Sequence, residues 1–109
     1  MRKVTTMTAA AFRCGQNKTV GNTSVRDGEY FLHGNKIAEY AGPCTIKLMD
    51  AGWQTVTTKE RLNGILEGFG SGIRIFQRNH TWYYSVPGST PELWTGELMV
   101  SIAHRGAAA

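Results

Sequence analysis

The sequence has few of the residues that mark a metalloprotein, a membrane protein or a secreted scaffold. Its 109 residues include only two cysteines and three prolines. Cys14 and Cys44 match neither a zinc pattern nor a disulfide framework, and the three histidines have no cysteine or carboxylate at ligand spacing. No apolar run reaches the ~18 residues of a membrane span, and residues 4–9 are too polar for a signal-peptide core. We therefore expect no metal, no cofactor, no membrane contact and a reducing cytoplasm.

Groups that could carry out catalysis are equally scarce. The only aspartates are Asp27 and Asp50, and there is no nucleophile elbow, carboxylate pair or glycine-rich phosphate loop. Cys44 and His33 lie in adjacent predicted strands and could approach one another. A small buried thiol and a polar imidazole at a strand end explain both residues without chemistry. The sequence therefore predicts a protein that is not an enzyme and has no catalytic residue.

The positive charge is concentrated at one end of the chain. Twelve Lys and Arg against eight Asp and Glu leave a net charge of +4. Five basic residues and no acidic one precede Asp27, namely Arg2, Lys3, Arg13, Lys18 and Arg26. Such an arm can contact a polyanion, or it can be a solvated segment that keeps a small protein soluble.

The length and composition predict a single domain of 109 residues, 41% of them hydrophobic. We divide it into a basic arm at residues 1–21, a body at 22–103 and a frayed tail at 104–109. Within the arm, Thr8 can cap a short helix that ends before Gly15.

Short strands joined by tight turns fill the first half of the body. Strands are expected at residues 23–26, 29–33, 36–40 and 44–49, where β-branched and aromatic residues are frequent. Asp27-Gly28 favours a type I′ hairpin turn, and Gly34-Asn35 and residues 41–43 mark two more turns. Because consecutive hairpins pair antiparallel, these strands should form a meander.

One helix should follow the meander. Thr57-Thr58-Lys59-Glu60 matches a capping box, with Thr57 as the N-cap and Glu60 bonding back to it. Apolar residues then recur at helical spacing: Leu62, Ile65, Leu66 and Phe69. This predicts a helix over residues 58–67, interrupted by the poor helix formers Asn63 and Gly64. The expected fold class is α+β: an antiparallel meander, one central helix packed on the sheet, a C-terminal hairpin and a closing strand at 97–103.

The C-terminal hairpin, strands 73–78 and 81–86, carries a candidate binding surface. The residues chosen for it are Arg74, Phe76, Arg78, Trp82 and Tyr84. Alternation places the first three on one face, and the register decides whether Tyr83 or Tyr84 joins them. Arginines interleaved with aromatics are typical of platforms that bind single-stranded nucleic acid. The same aromatics are equally typical of a buried core.

The start of the helix is a second candidate site. Hydroxyl, cationic and aromatic side chains are concentrated there: Trp53, Thr55, Thr57, Thr58, Lys59 and Arg61. Because the free N–H groups of a helix N-terminus favour anions, Lys59 and Arg61 could help to hold a phosphate. The alternative is ordinary capping, with Glu60 supplying the negative charge and Trp53 anchoring the turn in the core.

Three segments resemble a family of small accessory proteins of tailed bacteriophages: Gly21–Val25, Leu32–Ala38 and Gly52–Asn63. The string Gly-Trp-x-Thr-x-Thr-Thr-Lys-x-Arg-Leu-Asn in the third is the most specific part. Gln77 and Trp82-Tyr83 follow the helix as they do in that family, so the resemblance spans residues 21–84. It implies an accessory protein in the cytoplasm of the infected bacterium, engaged either with nucleic acid or with a host or defence protein.

The sequence therefore favours a non-enzymatic protein that contacts nucleic acid through the basic arm, the helix start and the Arg/aromatic hairpin. The alternative is an inhibitor of a host or anti-phage defence protein. Such an inhibitor would use an exposed apolar patch or a sheet edge, and a homodimer could be built on the same edge.

Overall fold

The computed structural model describes residues 2–102, along which two helices and nine strands follow one another. The helices are α1 (Lys3–Arg13) and α2 (Val56–Gly68). The first five strands are β1 (Lys18–Val20), β2 (Thr23–Arg26), β3 (Glu29–Leu32), β4 (Asn35–Gly42) and β5 (Thr45–Met49). After α2 come β6 (Arg74–Arg78), β7 (Thr81–Ser85), β8 (Glu92–Leu93) and β9 (Glu97–Ser101). The tail predicted at residues 104–109 lies outside the described residues.

The strands form two antiparallel sheets. Sheet A has six strands in the order β1-β2-β3-β4-β5-β9, and sheet B has three in the order β6-β7-β8. The predicted α+β class, the meander, the helix on the sheet, the hairpin and the closing strand are confirmed. Strands β1 and β8 and the full length of α1 were not anticipated.

Two-residue turns with positive φ set the register of the meander. Asp27 and Gly28 have φ values of 52° and 79°, as the predicted type I′ turn requires. The next turn is one residue earlier than predicted, because His33 and Gly34, with φ of 51° and 79°, form it. Asn35 therefore begins β4 and lies opposite Leu32.

One face of sheet A is packed and the other is open. The packed face contributes much of the core, including Val25, Tyr30, Ile46, Leu48 and Val100. The open face carries alternating polar residues, among which Lys36 pairs with Glu29 and Glu39, and Lys47 pairs with Glu97. Its charges are therefore largely paired with one another.

The basic arm is part of the fold, which corrects the division made from the sequence. Helix α1 begins at Lys3 rather than Thr8 and packs on α2 and β2. Phe12 is fully buried and stacks on Tyr40, with ring centroids 4.8 Å apart. Thr8 lies inside the helix, where its hydroxyl contacts the Tyr30 hydroxyl at 2.7 Å. Burial raises the pKa of Tyr30 to about 12, although the bond to Thr8 acts in the opposite direction.

Helix α2 begins two residues before the predicted start. Thr55 is its N-cap, accepting a bond from the Thr58 N–H at 3.1 Å, so the capping box that began at Thr57 is wrong. At the other end, Gly70 has a φ of 66°, and the Gly70 and Ser71 N–H groups bond to the carbonyls of Glu67 and Leu66. This is a Schellman motif.

Glu60 takes no part in capping α2 and instead forms hydrogen bonds to the start of α1. Its carboxylate accepts the Arg2 backbone N–H at 2.9 Å and the Thr5 hydroxyl at 2.6 Å. Arg61, only 2% exposed, bonds to Glu60, to Thr5 at 2.7 Å and to Thr23 at 3.0 Å. This buried cluster joins α1, α2 and β2. Burial tends to raise the pKa of Glu60, but the bonds from Thr5 and Arg2 and the charge of Arg61 hold it below its ordinary value.

Asn63, unexplained from the sequence, attaches sheet B to α2. Its side-chain amide donates to the Ile75 carbonyl and accepts the Ile75 N–H, both at 2.8 Å. The amide thus completes the hydrogen bonding of the β6 backbone at the edge away from β7.

Removing the buried guanidinium should strongly destabilise the protein. Arg61→Met leaves Glu60 and the hydroxyls of Thr5 and Thr23 without their cation. We expect the free energy of unfolding to fall by about 3 kcal/mol in urea titrations followed by circular dichroism. The matched control is Arg74→Met at an exposed site, expected to change it by less than about 0.5 kcal/mol. Equal effects of the two variants would contradict the role assigned to Arg61.

The same cluster should make stability depend on pH. Because the folded-state pKa of Glu60 lies below its ordinary value of 4.5, its contribution is complete above that pH and is lost as the pH falls through the folded pKa. The free energy of unfolding should therefore decrease below about pH 4.5 and do so less steeply in Glu60→Gln. Urea titrations between about pH 6 and pH 3 measure both slopes. Identical slopes would show that Glu60 does not contribute.

Candidate nucleic-acid interface and a separate pocket

The outer face of sheet B brings the two hairpin arginines together with aromatic side chains. The register pairs Phe76 with Tyr83, and Tyr83 in turn with Leu93 of β8. Residues directly opposite one another in an antiparallel pair point to the same face. We call this face the Arg/aromatic platform and define it as Arg74, Phe76, Arg78, Tyr83 and Leu93.

The geometry of the platform favours stacking. The rings of Phe76 and Tyr83 are 5.8 Å apart between centroids, with 23° between their planes, and both residues are half-buried. The Arg78 guanidinium lies 5.6 Å from the centroid of Phe76. Arg74 and Arg78 are exposed, and Leu93 is 55% exposed. The face therefore combines π surfaces, two cations and an apolar margin, and the platform includes no acidic side chain.

Trp82 and Tyr84, chosen from the sequence, lie on the other side of this hairpin. Trp82 pairs with Gln77 and Tyr84 pairs with Ile75, so both point away from the platform. Trp82 is only 2% exposed, which makes its selection as a contact residue wrong. Tyr83 takes the place given to Tyr84.

The two cations of the helix start also point inward. Arg61 is the buried cation of the α1–α2 cluster and is not accessible to a phosphate. Lys59 is half-buried, with its ammonium 6.0 Å from the centroid of the Trp82 ring. Of the two cations predicted to hold a phosphate here, Arg61 is wrong because it is buried, and Lys59 lies beside the Trp82 ring.

The basic residues of the arm are spread over several elements. Arg2 and Lys3 are exposed at the start of α1, Arg13 is half-buried in its last turn, and Lys18 is exposed in β1. Arg26 is exposed at the end of β2, where its guanidinium lies 5.2 Å from the Phe31 ring. The five cations therefore belong to elements of the fold and not to a separate arm.

A pocket of about 390 Å³ lies at the start of α2, between the β3–β4 turn and the loop before the helix. Its apolar lining comes from Leu32 and Ile37, both buried, and from Trp53. The polar lining consists of His33, Asn35, Asp50, Thr55, Thr57 and Thr58. Trp53 is 59% exposed and its neighbour Val56 is 71% exposed, so the expectation that Trp53 anchors the turn in the core is wrong.

Asp50 and Trp94 provide the anchor that Trp53 does not. The buried Asp50 carboxylate accepts bonds from the Gly52 N–H at 2.8 Å, the Gln54 amide at 3.0 Å and the Trp94 indole at 2.9 Å. Burial tends to raise the pKa of Asp50, and these three bonds hold it below its ordinary value. They fix the loop that presents Trp53.

The structure separates the cysteine and histidine that the sequence placed in adjacent strands. His33 lies in the turn before β4, and Cys44 lies beyond its other end, after Gly42. Eight residues of extended chain span roughly 26 Å. Cys14 and Cys44 are free thiols. Within residues 2–102 no three His, Cys, Asp or Glu side chains are grouped as metal ligands.

Two platform residues were missed, for different reasons. Tyr83 could have been found, because a two-residue turn at residues 79–80 already pairs Phe76 with Tyr83. Leu93 could not, since β8 has only two residues and is defined by its pairing with β7.

These features define a small α+β domain with an exposed Arg/aromatic sheet face and an apolar pocket. The chain belongs to the family described as Kyanoviridae Gp96 protein, a family of bacteriophage proteins, which matches residues 1–101. The match confirms the resemblance to tailed-phage proteins and extends beyond residues 21–84 at both ends. Comparisons with curated proteins and with solved structures find no match. Neither described helix is long and apolar enough to cross a bilayer.

The contrast between the exposed and buried tryptophans can be measured by fluorescence. Trp82 and Trp94 are 2% and 4% exposed, against 59% for Trp53. We expect Trp53→Phe to remove most of the emission that acrylamide quenches and to change stability by less than about 1 kcal/mol. Trp94→Phe should leave quenching unchanged but cost about 1–3 kcal/mol, because Asp50 loses its indole donor. Quenching that persists in Trp53→Phe would contradict this placement.

Proposed function

We propose that this phage protein binds single-stranded nucleic acid on the Arg/aromatic platform. The observation that carries the proposal is the composition of one sheet face, where two exposed arginines flank a stacked aromatic pair. Sequence-tolerant binders of single strands combine these two elements, cations that follow the phosphates and aromatic rings on which bases stack.

The aromatic pair supplies the surface for bases. Phe76 and Tyr83 are only half-buried, so part of each ring is accessible to a base. Stacking of one base on an aromatic side chain contributes about 1–3 kcal/mol whatever the base, because every base has a π face. This mode of binding needs no specific hydrogen bonds to base edges and suits a platform with few polar groups.

The arginines supply the contacts to phosphate. Arg74 and Arg78 are separated by four residues of one strand, which is roughly 13 Å along β6. The aromatic pair lies between them, so bases on the rings would leave their phosphates within reach of both guanidinium groups. Arg2, Lys3, Arg13, Lys18 and Arg26 add to the positive field of the molecule and increase the rate of encounter with a polyanion.

Sheet A offers a useful contrast. Its open face also carries an arginine beside a ring, with Arg26 5.2 Å from Phe31, but this face holds carboxylates as well, and Glu29 lies opposite Arg26. Lys36 lies 3.1 Å and 2.8 Å from the carboxylates of Glu29 and Glu39, and Lys47 lies 3.4 Å from Glu97. A phosphate would have to displace these carboxylates. We therefore assign the nucleic-acid contact to sheet B, and we propose the interior of the infected bacterium as the place of action.

A second candidate function is binding to a host or anti-phage defence protein, or to a second copy of this chain. Strand β9 ends sheet A and pairs only with β5 among the described strands. Met99, in the middle of β9, is 55% exposed. A free strand edge with an exposed apolar side chain can pair with a strand of a partner.

The two functions are separated by titrating labelled single-stranded DNA and RNA at several salt concentrations. Arg74→Ala/Arg78→Ala should weaken binding and reduce the slope of log affinity against log salt by roughly 1.4, since two phosphate contacts are lost. The matched control, Lys36→Ala/Lys47→Ala, removes the same charge from the ion-paired face of sheet A and should change binding little.

Three results would overturn the nucleic-acid proposal: no salt-dependent binding by the wild-type protein, equal weakening by both double variants, or full binding by Phe76→Leu/Tyr83→Leu. The last would show that charge alone acts. Absence of binding by the wild-type protein would leave the edge of β9 as the better supported contact. The other two results, with the variants still folded, would show that nucleic acid is bound without the arginines of the platform or without stacking on its rings.

A further inference from the structure

We propose that the pocket at the start of α2 binds a purine base that carries an exocyclic amino group, as adenine does. The pocket shares no residue with the Arg/aromatic platform, so this site is additional to the proposed function and does not depend on it. Its volume of about 390 Å³ lies at the small end of the range for organic ligands.

Trp53 supplies a flat wall for such a ring. It is 59% exposed although it borders a pocket, and leaving a large indole in water forgoes the gain of burying it. Bonds from Gly52 and Gln54 to Asp50 hold the loop on both sides of Trp53, so the backbone that carries the indole is positioned before any ligand arrives. An aromatic ring stacked on Trp53 would cover this exposed surface.

Leu32 and Ile37 also line the pocket. They are 4% and 1% exposed and belong to the core beneath sheet A. Together with the exposed indole they make a small, mainly apolar slot, and pockets of this kind take flat aromatic ligands.

Asn35 gives the slot a recognition edge. It is half-buried and lines the pocket, and its side-chain amide has no hydrogen-bond partner among the described residues. An asparagine amide presents a donor and an acceptor side by side, which matches the N6 amino group and N7 of adenine. His33, exposed in the adjoining turn, also lines the pocket. Its Nε2 lies 3.3 Å from the Asn22 amide nitrogen, so Nδ1 is the ring nitrogen outside that contact.

The charges around the pocket favour a neutral ring. The Asp50 carboxylate lines it, while the start of α2 contributes partial positive charge. Lys59 lies over Trp82 instead, and Arg61 is buried in the α1–α2 cluster. Among residues 2–102 no lysine or arginine lines the pocket, which favours recognition of the base over recognition of a phosphate.

The base could come from a free nucleoside or from a strand, and two ligands separate these sources. Adenosine and a short oligodeoxyadenylate are titrated into the full chain by calorimetry and by NMR of the Asn35 side-chain amide and the Trp53 indole N–H. Adenosine should shift both signals and bind the Arg74→Ala/Arg78→Ala variant as tightly as the wild type. Shifts caused by the oligonucleotide alone would identify a base carried by a strand, and would also support the site.

Variants test the assignment of the wall and the edge. Trp53→Ala should weaken binding by at least about tenfold through loss of stacking, whereas Trp53→Phe should retain most of it. Val56→Ala, at an exposed neighbour that does not line the pocket, is the matched control. Asn35→Leu should abolish the preference for adenosine over purine riboside, which lacks the amino group.

The site is overturned if neither ligand shifts the two signals, or if Trp53→Ala binds as tightly as the wild type. These outcomes are distinct from failure of the platform. If the Arg74→Ala/Arg78→Ala variant still binds adenosine but no longer binds the oligonucleotide, the protein has both sites. If the wild-type protein binds adenosine but no single strand, it has only the pocket.

Discussion

Helices α1 and α2 and sheet A meet at the buried guanidinium of Arg61. The packing of these elements on one another depends on keeping that charge paired. Moving an arginine out of water costs several kcal/mol unless its donors are satisfied. Arg61 reaches Thr5 of α1, Thr23 of β2 and the adjacent Glu60. Because these partners come from three elements, the charge is stable only when all three are in place. The cluster of Arg61, Glu60, Thr5 and Thr23 thus fixes how the mainly apolar surfaces of α1, α2 and β2 pack together.

Helix α2, which carries Arg61, also holds the platform and the pocket in place. Glu60 and Arg61 of α2 bond to α1. Asn63 of the same helix bonds to the N–H and carbonyl of Ile75 in β6, which attaches sheet B. Its first turn supplies Thr57 and Thr58 to the pocket. The platform and the pocket are therefore built on the same helix, which is why surfaces with no shared residue can both be firmly positioned.

The two sheets of this phage protein have outer faces of different character. On the open face of sheet A the two lysines are paired with carboxylates, and Arg26, beside the Phe31 ring, lies opposite Glu29 in the register. On sheet B the arginines neighbour aromatic rings instead. A net charge of +4 says little about function until it is known which cations already have partners, and the basic arm illustrates this. Its five cations are distributed over a helix and two strands that are integral to the fold, so the arm cannot be removed without taking Phe12 out of the core.

The sequence by itself determined what depends on near neighbours along the chain: the Asp27-Gly28 turn, the apolar stripe of α2 and the alternation of the hairpin. These follow from local backbone preference and from the periods of helix and strand. Tertiary structure decided what depends on distant partners. Thr5 and Thr8 are poor helix formers, and α1 extends through them because Glu60 and Tyr30 bind their hydroxyls. In the same way, Arg61 is buried because acceptors distant along the chain satisfy it, and the indole that donates to the buried Asp50 is that of Trp94, while Trp53 is exposed. Neither side chain carries a local signal that distinguishes a core position from a surface one.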